Sequence, residues 1–221
     1  MSVLYVVATP IGNLEDISQR ALRILAEVDL ILCEDTRVTQ RLLLHYNIKT
    51  PTLSYHQHSK IEKTEEIVGL LKEGKNLALV SDAGTPGISD PGNQLVAKLA
   101  EVEPRPEIVP VPGPSALVAA ASVAGGPMDR FLFLGFPPVK KKRKKFFEEV
   151  VNSEYPVIFY ESPYRIIKSL TELRTLNENL PIVVCRELTK KFETIYRGKV
   201  GEVLGQLKEL RGEFVVVVKG K

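Results

Sequence analysis

Asn76-Leu77-Ala78-Leu79-Val80-Ser81-Asp82-Ala83-Gly84-Thr85-Pro86-Gly87 is the stretch on which the fold turns. Its first five positions are apolar from Leu77 onward without alternation, and a short strand of that kind is buried on both faces, as in a parallel sheet covered by helices. It stops at Ser81-Asp82 and gives way to small residues and turn formers. The same grammar recurs on either side. Val3-Leu4-Tyr5-Val6-Val7-Ala8 is an apolar, β-branched strand ending at Thr9-Pro10-Ile11-Gly12-Asn13. Ser18 then caps a helix with Ala21, Leu22, Leu25 and Val28 on one face. Asp29-Leu30-Ile31-Leu32-Cys33 ends at Glu34-Asp35-Thr36-Arg37, and a helix, a short strand near Leu53 to Tyr55 and another helix follow. Downstream of Gly87, Asp90-Pro91 opens a helix, with proline suited to its first position. Glu107 to Val111 reads as a strand, and Pro112-Gly113-Pro114-Ser115 leads into an alanine-rich helix.

Strands alternating with helices predict an α/β chain with a mostly parallel sheet covered on both faces. The pattern changes after Gly125-Gly126-Pro127. Phe131 to Phe136 is a new strand, followed by Pro137-Pro138 and a basic run. Pro156 to Tyr160, Pro181 to Cys185, Thr194 to Arg197 and Glu213 to Lys219 are further strands, with helices between them. The boundary falls near residues 112–130 and is drawn as two domains, 1–117 and 118–221. No internal repeat of fixed period is present.

A 221-residue chain with 44% hydrophobic and 26% charged residues is an ordinary globular mix, long enough for a real core. No run approaches the roughly 20 apolar residues that span a bilayer. The N-terminus lacks a basic n-region and an apolar h-region, which argues against secretion. Cys33 and Cys185 lie far apart in apolar segments and read as reduced core residues of a cytoplasmic protein. The net charge of +3 hides an asymmetry: residues 1–138 carry 12 Lys+Arg against 16 Asp+Glu, and residues 139–221 carry 18 against 11. The excess is local, in the six-residue run Lys140, Lys141, Lys142, Arg143, Lys144 and Lys145. Such a run is either a solvated stretch leading a helix or a contact for a polyanion, of which nucleic acid is the usual one.

Polar clusters at three strand ends, Thr9 to Asn13, Glu34 to Arg37 and Ser81 to Pro86, are where an open α/β sheet binds ligands. Asp82 is an acceptor placed where a strand stops, for a ligand hydroxyl or cation; its bland alternative is an Asx turn that caps its own loop. The small residues of Pro112 to Ala116 allow close ligand approach, or tight helix–sheet packing. There is no G-x-G-x-x-G after the first strand, no G-x-x-x-x-G-K-[ST] and no G-x-S-x-G, which disfavours dinucleotide, P-loop and nucleophile-elbow chemistry. His45, His56 and His58 have only two apolar-segment cysteines to complement them, so no metal is expected.

In order along the chain stand Thr9-Pro10-Ile11-Gly12-Asn13-Leu14-Glu15-Asp16-Ile17, Glu34-Asp35-Thr36-Arg37, His56-Gln57-His58, Ser81-Asp82-Ala83-Gly84-Thr85-Pro86, Pro112-Gly113-Pro114, Phe159-Tyr160-Glu161-Ser162 and Arg186-Glu187-Leu188-Thr189-Lys190. With these the chain resembles the class III S-adenosylmethionine methyltransferases of tetrapyrrole-methylase fold, and within them the ribosomal RNA small-subunit methyltransferase I group, the cytidine 2′-O-methyltransferases. Each motif is weak alone; the ordered set spans nearly the whole chain. The resemblance implies two α/β domains, a mostly parallel N-terminal sheet and a mixed C-terminal one, with S-adenosyl-L-methionine in the cleft between them. It implies a cytoplasmic homodimer acting on 16S rRNA or the small ribosomal subunit. It implies donor contacts at Pro10, Asp82, Thr85, Ser115 and Ala116, and further ones at Tyr160, Arg186, Glu187 and Glu213. Some members extend well past the final strand, and a chain without such a tail would hold RNA by other surface.

Methyl transfer to a ribose hydroxyl needs in-line alignment and a base to take the proton. Glu34, Asp35 and His56 are the candidates, although Glu34 or Asp35 could simply pair with Arg37. Arg37 and Lys140 to Lys145 are the cations expected to face RNA phosphates. Tyr55, Phe136 and Tyr160 are aromatics able to stack on a splayed base, with core packing the alternative for Tyr160. Two rivals remain: a corrin-type small-molecule methylase, which would not need the basic run, and a non-catalytic RNA-binding assembly factor.

Overall fold

Most strands of the first sheet feed two cores. In β1 (Val3–Val7), Leu4 packs to one side and Val7 to the other; in β4 (Leu77–Leu79), Leu77 and Leu79 take one side and Ala78 the other. The structure is a computed structural model that describes residues 2–56, 61–90 and 92–220. The chain divides into two units, Met1–Ser115 and Ala116–Lys221.

The first unit adds α1 (Gln19–Glu27), β2 (Leu30–Cys33), α2 (Thr36–His45), β3 (Thr52–Ser54), α3 (Ile61–Lys72), α4 (Gly92–Leu99) and β5 (Glu107–Val111). Its five strands lie in the order β3-β2-β4-β1-β5, and each neighbouring pair is parallel. The connections from β1 to β2 and β2 to β3 run one way along the sheet; those from β3 to β4 and β4 to β5 run the other. Right-handed crossovers then place the helices on opposite faces. Accordingly Ala21, Ile24 and Leu25 of α1 and Leu42 and Leu43 of α2 share one core, while Ile67 and Leu71 of α3 and Leu95 and Leu99 of α4 share the other. The reversal point falls at β4, whose outgoing connection runs opposite to those of both its neighbours, β2 and β1. Ser18 caps α1 as its sequence predicts, accepting from the Ala21 amide at 3.1 Å. Pro91, expected at the start of α4, lies outside the described residues.

The second unit contains α5 (Ala116–Val123), β6 (Leu132–Phe133), α6 (Arg143–Asn152), β7 (Val157–Glu161), α7 (Ile166–Leu176), β8 (Pro181–Arg186), β9 (Thr194–Lys199), α8 (Val200–Gln206) and β10 (Phe214–Val218). The sheet order is β6-β7-β10-β8-β9, with β6 and β7 parallel and the other pairs antiparallel, so the sheet is mixed. Phe159, Val184 and Val216 face a core closed by Phe147 of α6, Ile166, Leu170 and Leu173 of α7, and Val200 and Val203 of α8. The opposite face is buried as well, through Ile158, Val183, Cys185 and Val217. There α5 packs on β7 and β10, its alanines allowing close approach. One expected element shrinks: the strand read over Phe131 to Phe136 is regular only at Leu132–Phe133, although the Leu134 amide still donates to the Ile158 carbonyl and the Gly135 carbonyl accepts from the Tyr160 amide. Gly135 takes a φ of +62° and turns the chain out, and Pro137 and Pro138 carry no amide hydrogen with which to continue a ladder. Among the described residues no helix is long and apolar enough to cross a membrane.

Candidate active site

The three polar clusters named from sequence sit at the C-terminal ends of β1, β2 and β4, which are neighbours in the sheet, and the reversal point lies among them. This is the edge at which open α/β sheets hold ligands. Their backbones are stitched together. The Thr9 amide donates to the Gly84 carbonyl at 2.9 Å, and the Gly84 amide returns a bond to the Thr9 carbonyl at 3.0 Å. The buried Thr9 hydroxyl donates to the Ser81 carbonyl at 3.1 Å. The Thr85 hydroxyl donates to the Pro114 carbonyl at 3.2 Å, which brings in the turn after β5. Two glycines are required by this geometry. Gly84 has φ +82°, and a Cβ there would lie 3.3 Å from Ile11 Cγ2. A Cβ on Gly113 would come within 3.0 Å of the Ala8 Cβ. The small residues of the Pro112 turn thus serve strand–loop packing, and they also leave backbone accessible to a ligand.

Carboxylates crowd this floor. Glu34 lies at the end of β2, and its carboxyl is pushed above the usual carboxylate range by burial, then by the charges of Asp90 and Asp82; a bond from the Asp82 backbone partly offsets this. Asp82 is exposed, and one of its carboxylate oxygens accepts from the Asp35 amide at 3.0 Å. Its role as a cap for its own loop is therefore not the one seen: it bridges β4 to the start of α2. Asp90 accepts from the amides of Gly87 and Gly92 at 2.7 and 2.8 Å, closing the loop that precedes α4. Asp35 is committed elsewhere. It caps α2 through the Arg37 amide at 2.8 Å and holds the Arg37 guanidinium at 2.7 Å. These hydrogen bonds bring its pKa down to about 2. A base that weak is poorly matched to deprotonating a hydroxyl near neutral pH. His56 is exposed just beyond β3, while Gln57 and His58 lie outside the described residues.

Beside the carboxylates, Thr9, Pro10, Leu14, Thr39, Arg41 and Asp82 line a cavity of about 210 Å³. Thr39 is buried there with the Cys33 thiol beside its hydroxyl, a weak partner. Burial also pushes the thiols of Cys33 and Cys185 up, the latter to about 11, and both are free and inert. Acidic groups predominate at this edge, with Glu34, Asp82 and Asp90 close enough for their charges to act on one another, a surround that favours a cation. Ser115 and Ala116 lie just past the Pro114 turn, at the division between the two units.

In the second unit the named residues serve several ends. Tyr160 is half-buried and packs edge-on against Phe133 and Phe136, with ring centroids 4.9 and 5.5 Å away, so the packing alternative holds for it. Tyr55, in the first unit, is buried in a core and is not free to stack. Arg186 is buried and donates to the carbonyls of Arg211 and Phe192 at 2.7 and 3.1 Å, which ties two loops together. Lys190 bridges Glu187 and Glu213 at 2.9 Å each, at the ends of β8 and β10. Glu187 and Thr189 both have positive φ, +53° and +66°, a strained pair held by these bonds. The basic run is not uniform. Lys140, Lys141, Lys142, Lys144 and Lys145 are exposed, but Arg143 is 5% exposed and turns inward. It donates to Glu172 and to Ser169, both at 2.8 Å, and to the Pro138 carbonyl at 3.1 Å. Its guanidinium is therefore not presented to phosphates as the run suggested. Glu161, Arg165 and Ser169 complete this buried network and carried no role in the sequence reading. The signal was there: a glutamate ending an otherwise apolar strand is almost never buried unpaired.

A profile of the family described as Tetrapyrrole (Corrin/Porphyrin) Methylases matches residues 3–204. The chain belongs to that family. It is 45% identical to the ribosomal RNA small subunit methyltransferase I of Synechocystis sp., over all of this chain and 80% of that one. The protein of the same name from Escherichia coli O157:H7 is 47% identical over 98% of this chain and 77% of its own. That from Thermotoga maritima is 44% identical and is covered end to end by this chain. Among solved structures, diphthine synthase matches with a TM-score of 0.77 at 13% identity, over 100% of this chain and 90% of that one. The uroporphyrin-III-C-methyltransferase of Thermus thermophilus matches with a TM-score of 0.69 at 17% identity, over 98% and 94%. The fold is thus that of the tetrapyrrole methylases, and this chain is a methyltransferase.

Proposed function

We propose that this chain transfers a methyl group from S-adenosyl-L-methionine to the ribose 2′-hydroxyl of a cytidine in 16S rRNA. The observation that carries the reading is the convergence of the β1, β2 and β4 ends on a carboxylate-lined, glycine-floored site at the reversal point of the sheet. Relatives 44–47% identical to it over the aligned length bear names stating methylation of small-subunit ribosomal RNA.

When bound, the donor supplies an electrophilic methyl on a sulfonium centre. Asp82 and Glu34 provide the negative field that favours a cation, and Thr85, Ser115 and Ala116 present backbone and small side chains for close approach. Pro10 shapes the cavity wall. Tyr160, Glu187 and Glu213 are further donor contacts in this reading; Arg186 acts through the loops its guanidinium holds. Glu34 is the general base. Its raised affinity for a proton suits it to accept one from a hydroxyl, whereas Asp35 is tied to Arg37 and to its helix cap. Arg37 keeps an exposed face for phosphate, and the five exposed lysines of the basic run offer phosphate contacts of their own. The enzyme works in the cytoplasm as a homodimer, as its resemblance to the family implies.

The test is incubation with radiolabelled donor and purified small ribosomal subunits. Label entering RNA is the expected result. Donor binding by calorimetry without RNA labelling would replace this reading with a small-molecule methylase, and no donor binding would replace it with an assembly factor.

A further inference from the structure

Tyr164 is the most exposed large hydrophobic side chain among the described residues, at 96%. It stands in Ser162-Pro163-Tyr164-Arg165, between β7 and α7, and each polar neighbour is engaged. Arg165 donates to Glu161 at 2.9 Å, to the Ser162 hydroxyl at 3.2 Å and to the Pro137 carbonyl at 3.0 Å. Glu161 in turn accepts from the Ser162 amide at 2.8 Å and from the Ser169 hydroxyl at 2.5 Å. From the other side Arg143 reaches Ser169 and the Pro138 carbonyl. The Tyr164 loop and the loop that begins the basic run are therefore clamped to one buried carboxylate. Two residues past Pro137 stands Val139, 65% exposed, and then the first lysine. Lys142, which directly precedes the anchored Arg143, lies in the left-handed region with φ +65°.

An aromatic ring left in water contributes little to the fold, and a loop fixed by three arginine hydrogen bonds loses little entropy when a ligand engages it. Aromatics interleaved with lysines along a backbone-tracking surface are the means by which proteins hold single-stranded nucleic acid. We propose that Tyr164 is a stacking platform for an unpaired base of the RNA, next to the phosphates neutralised by Lys140, Lys141 and Lys142, and that Glu161 and Arg143 are the positioning residues that hold the two loops in register. This rests on the rRNA reading above, and it adds a recognition element at a residue to which no part in methyl transfer has been assigned.

The chain contains no tryptophan, so Tyr164→Trp installs a single reporter in the full-length protein. Titration with a single-stranded RNA oligonucleotide should quench its emission, while the same sequence annealed into a duplex should not. Tyr164→Ala should weaken single-strand binding by about 5- to 150-fold, the range for loss of one stacked base, and Tyr164→Phe should restore it. Donor affinity by calorimetry should be unchanged in all three variants. Filter binding separates the two ways of failing. RNA retained by wild type and lost on lysine substitution, with tryptophan emission unmoved, overturns the stacking role and leaves the rRNA reading standing. RNA retained by no variant overturns both. Emission that responds to protein concentration and not to RNA overturns the proposal in favour of contact between copies of the chain.

Discussion

Glu34 and Asp35 are adjacent in sequence and opposite in character. Burial and the charges of Asp90 and Asp82 raise the affinity of Glu34 for its proton; hydrogen bonds from Arg37 lower that of Asp35 to about 2. For Glu34 the sign is direct: below its raised pKa the carboxyl is protonated and cannot act as base, so kcat/KM climbs as pH rises through a value above the ordinary 4.5. Glu34→Gln should lower kcat/KM by roughly 10²- to 10⁴-fold and abolish that acid limb. It should not lower Tm, because an acid with a raised folded pKa opposes folding when ionised. Asp35 follows the other sign. Its contribution to stability is present above about 3.8 and is lost as pH falls toward 2. Asp35→Asn keeps a capping oxygen and should remove only this acid-limb loss, seen as a flatter decline of Tm on acidification. At this scale the sequence pointed to one polar cluster but left three candidate bases open, because the choice depends on which carboxyl a neighbouring guanidinium occupies.

At the scale of elements, β1, β2 and β4 were legible because each is an unbroken apolar run ending in turn residues, and their polar ends already drew attention to one edge of the sheet. What sequence could not supply was the order β3-β2-β4-β1-β5, which makes those three ends neighbours. The loop after β4 depends on Gly84. Gly84→Ala should destabilise the first unit by about 1–3 kcal/mol, read by chemical denaturation, since alanine opposes φ +82°. In the second unit the basic run misled at one position. A run of like charges reads as solvated throughout, and only the fold shows that Arg143 of α6 meets Glu172 and Ser169 of α7. Glu161→Ala leaves the two arginines without their shared partner and should cost about 3–5 kcal/mol. Glu161→Gln, which keeps shape but not charge, should cost less.

The charge asymmetry belongs to the whole molecule. Residues 139–221 hold 18 of the 30 Lys+Arg, while the carboxylates of the candidate site lie in the acidic part before them. In the proposed reading one chain offers both a cation-seeking pocket and a phosphate-seeking surface. Changing Lys140, Lys141, Lys142, Lys144 and Lys145 to Ser, with Arg143 kept, should flatten the fall of log K with log salt. On single-stranded RNA the slope should drop by up to about 0.7 for each phosphate these lysines neutralise. Unchanged slope would remove phosphate binding from these lysines. The central claim is the chemical identity of the methylated product. It is tested most directly by nuclease digestion of small-subunit RNA labelled from the radioactive donor, followed by chromatography of the nucleosides. Label in 2′-O-methylcytidine is the expected result; label in a base-methylated nucleoside, or in no nucleoside at all, would contradict it.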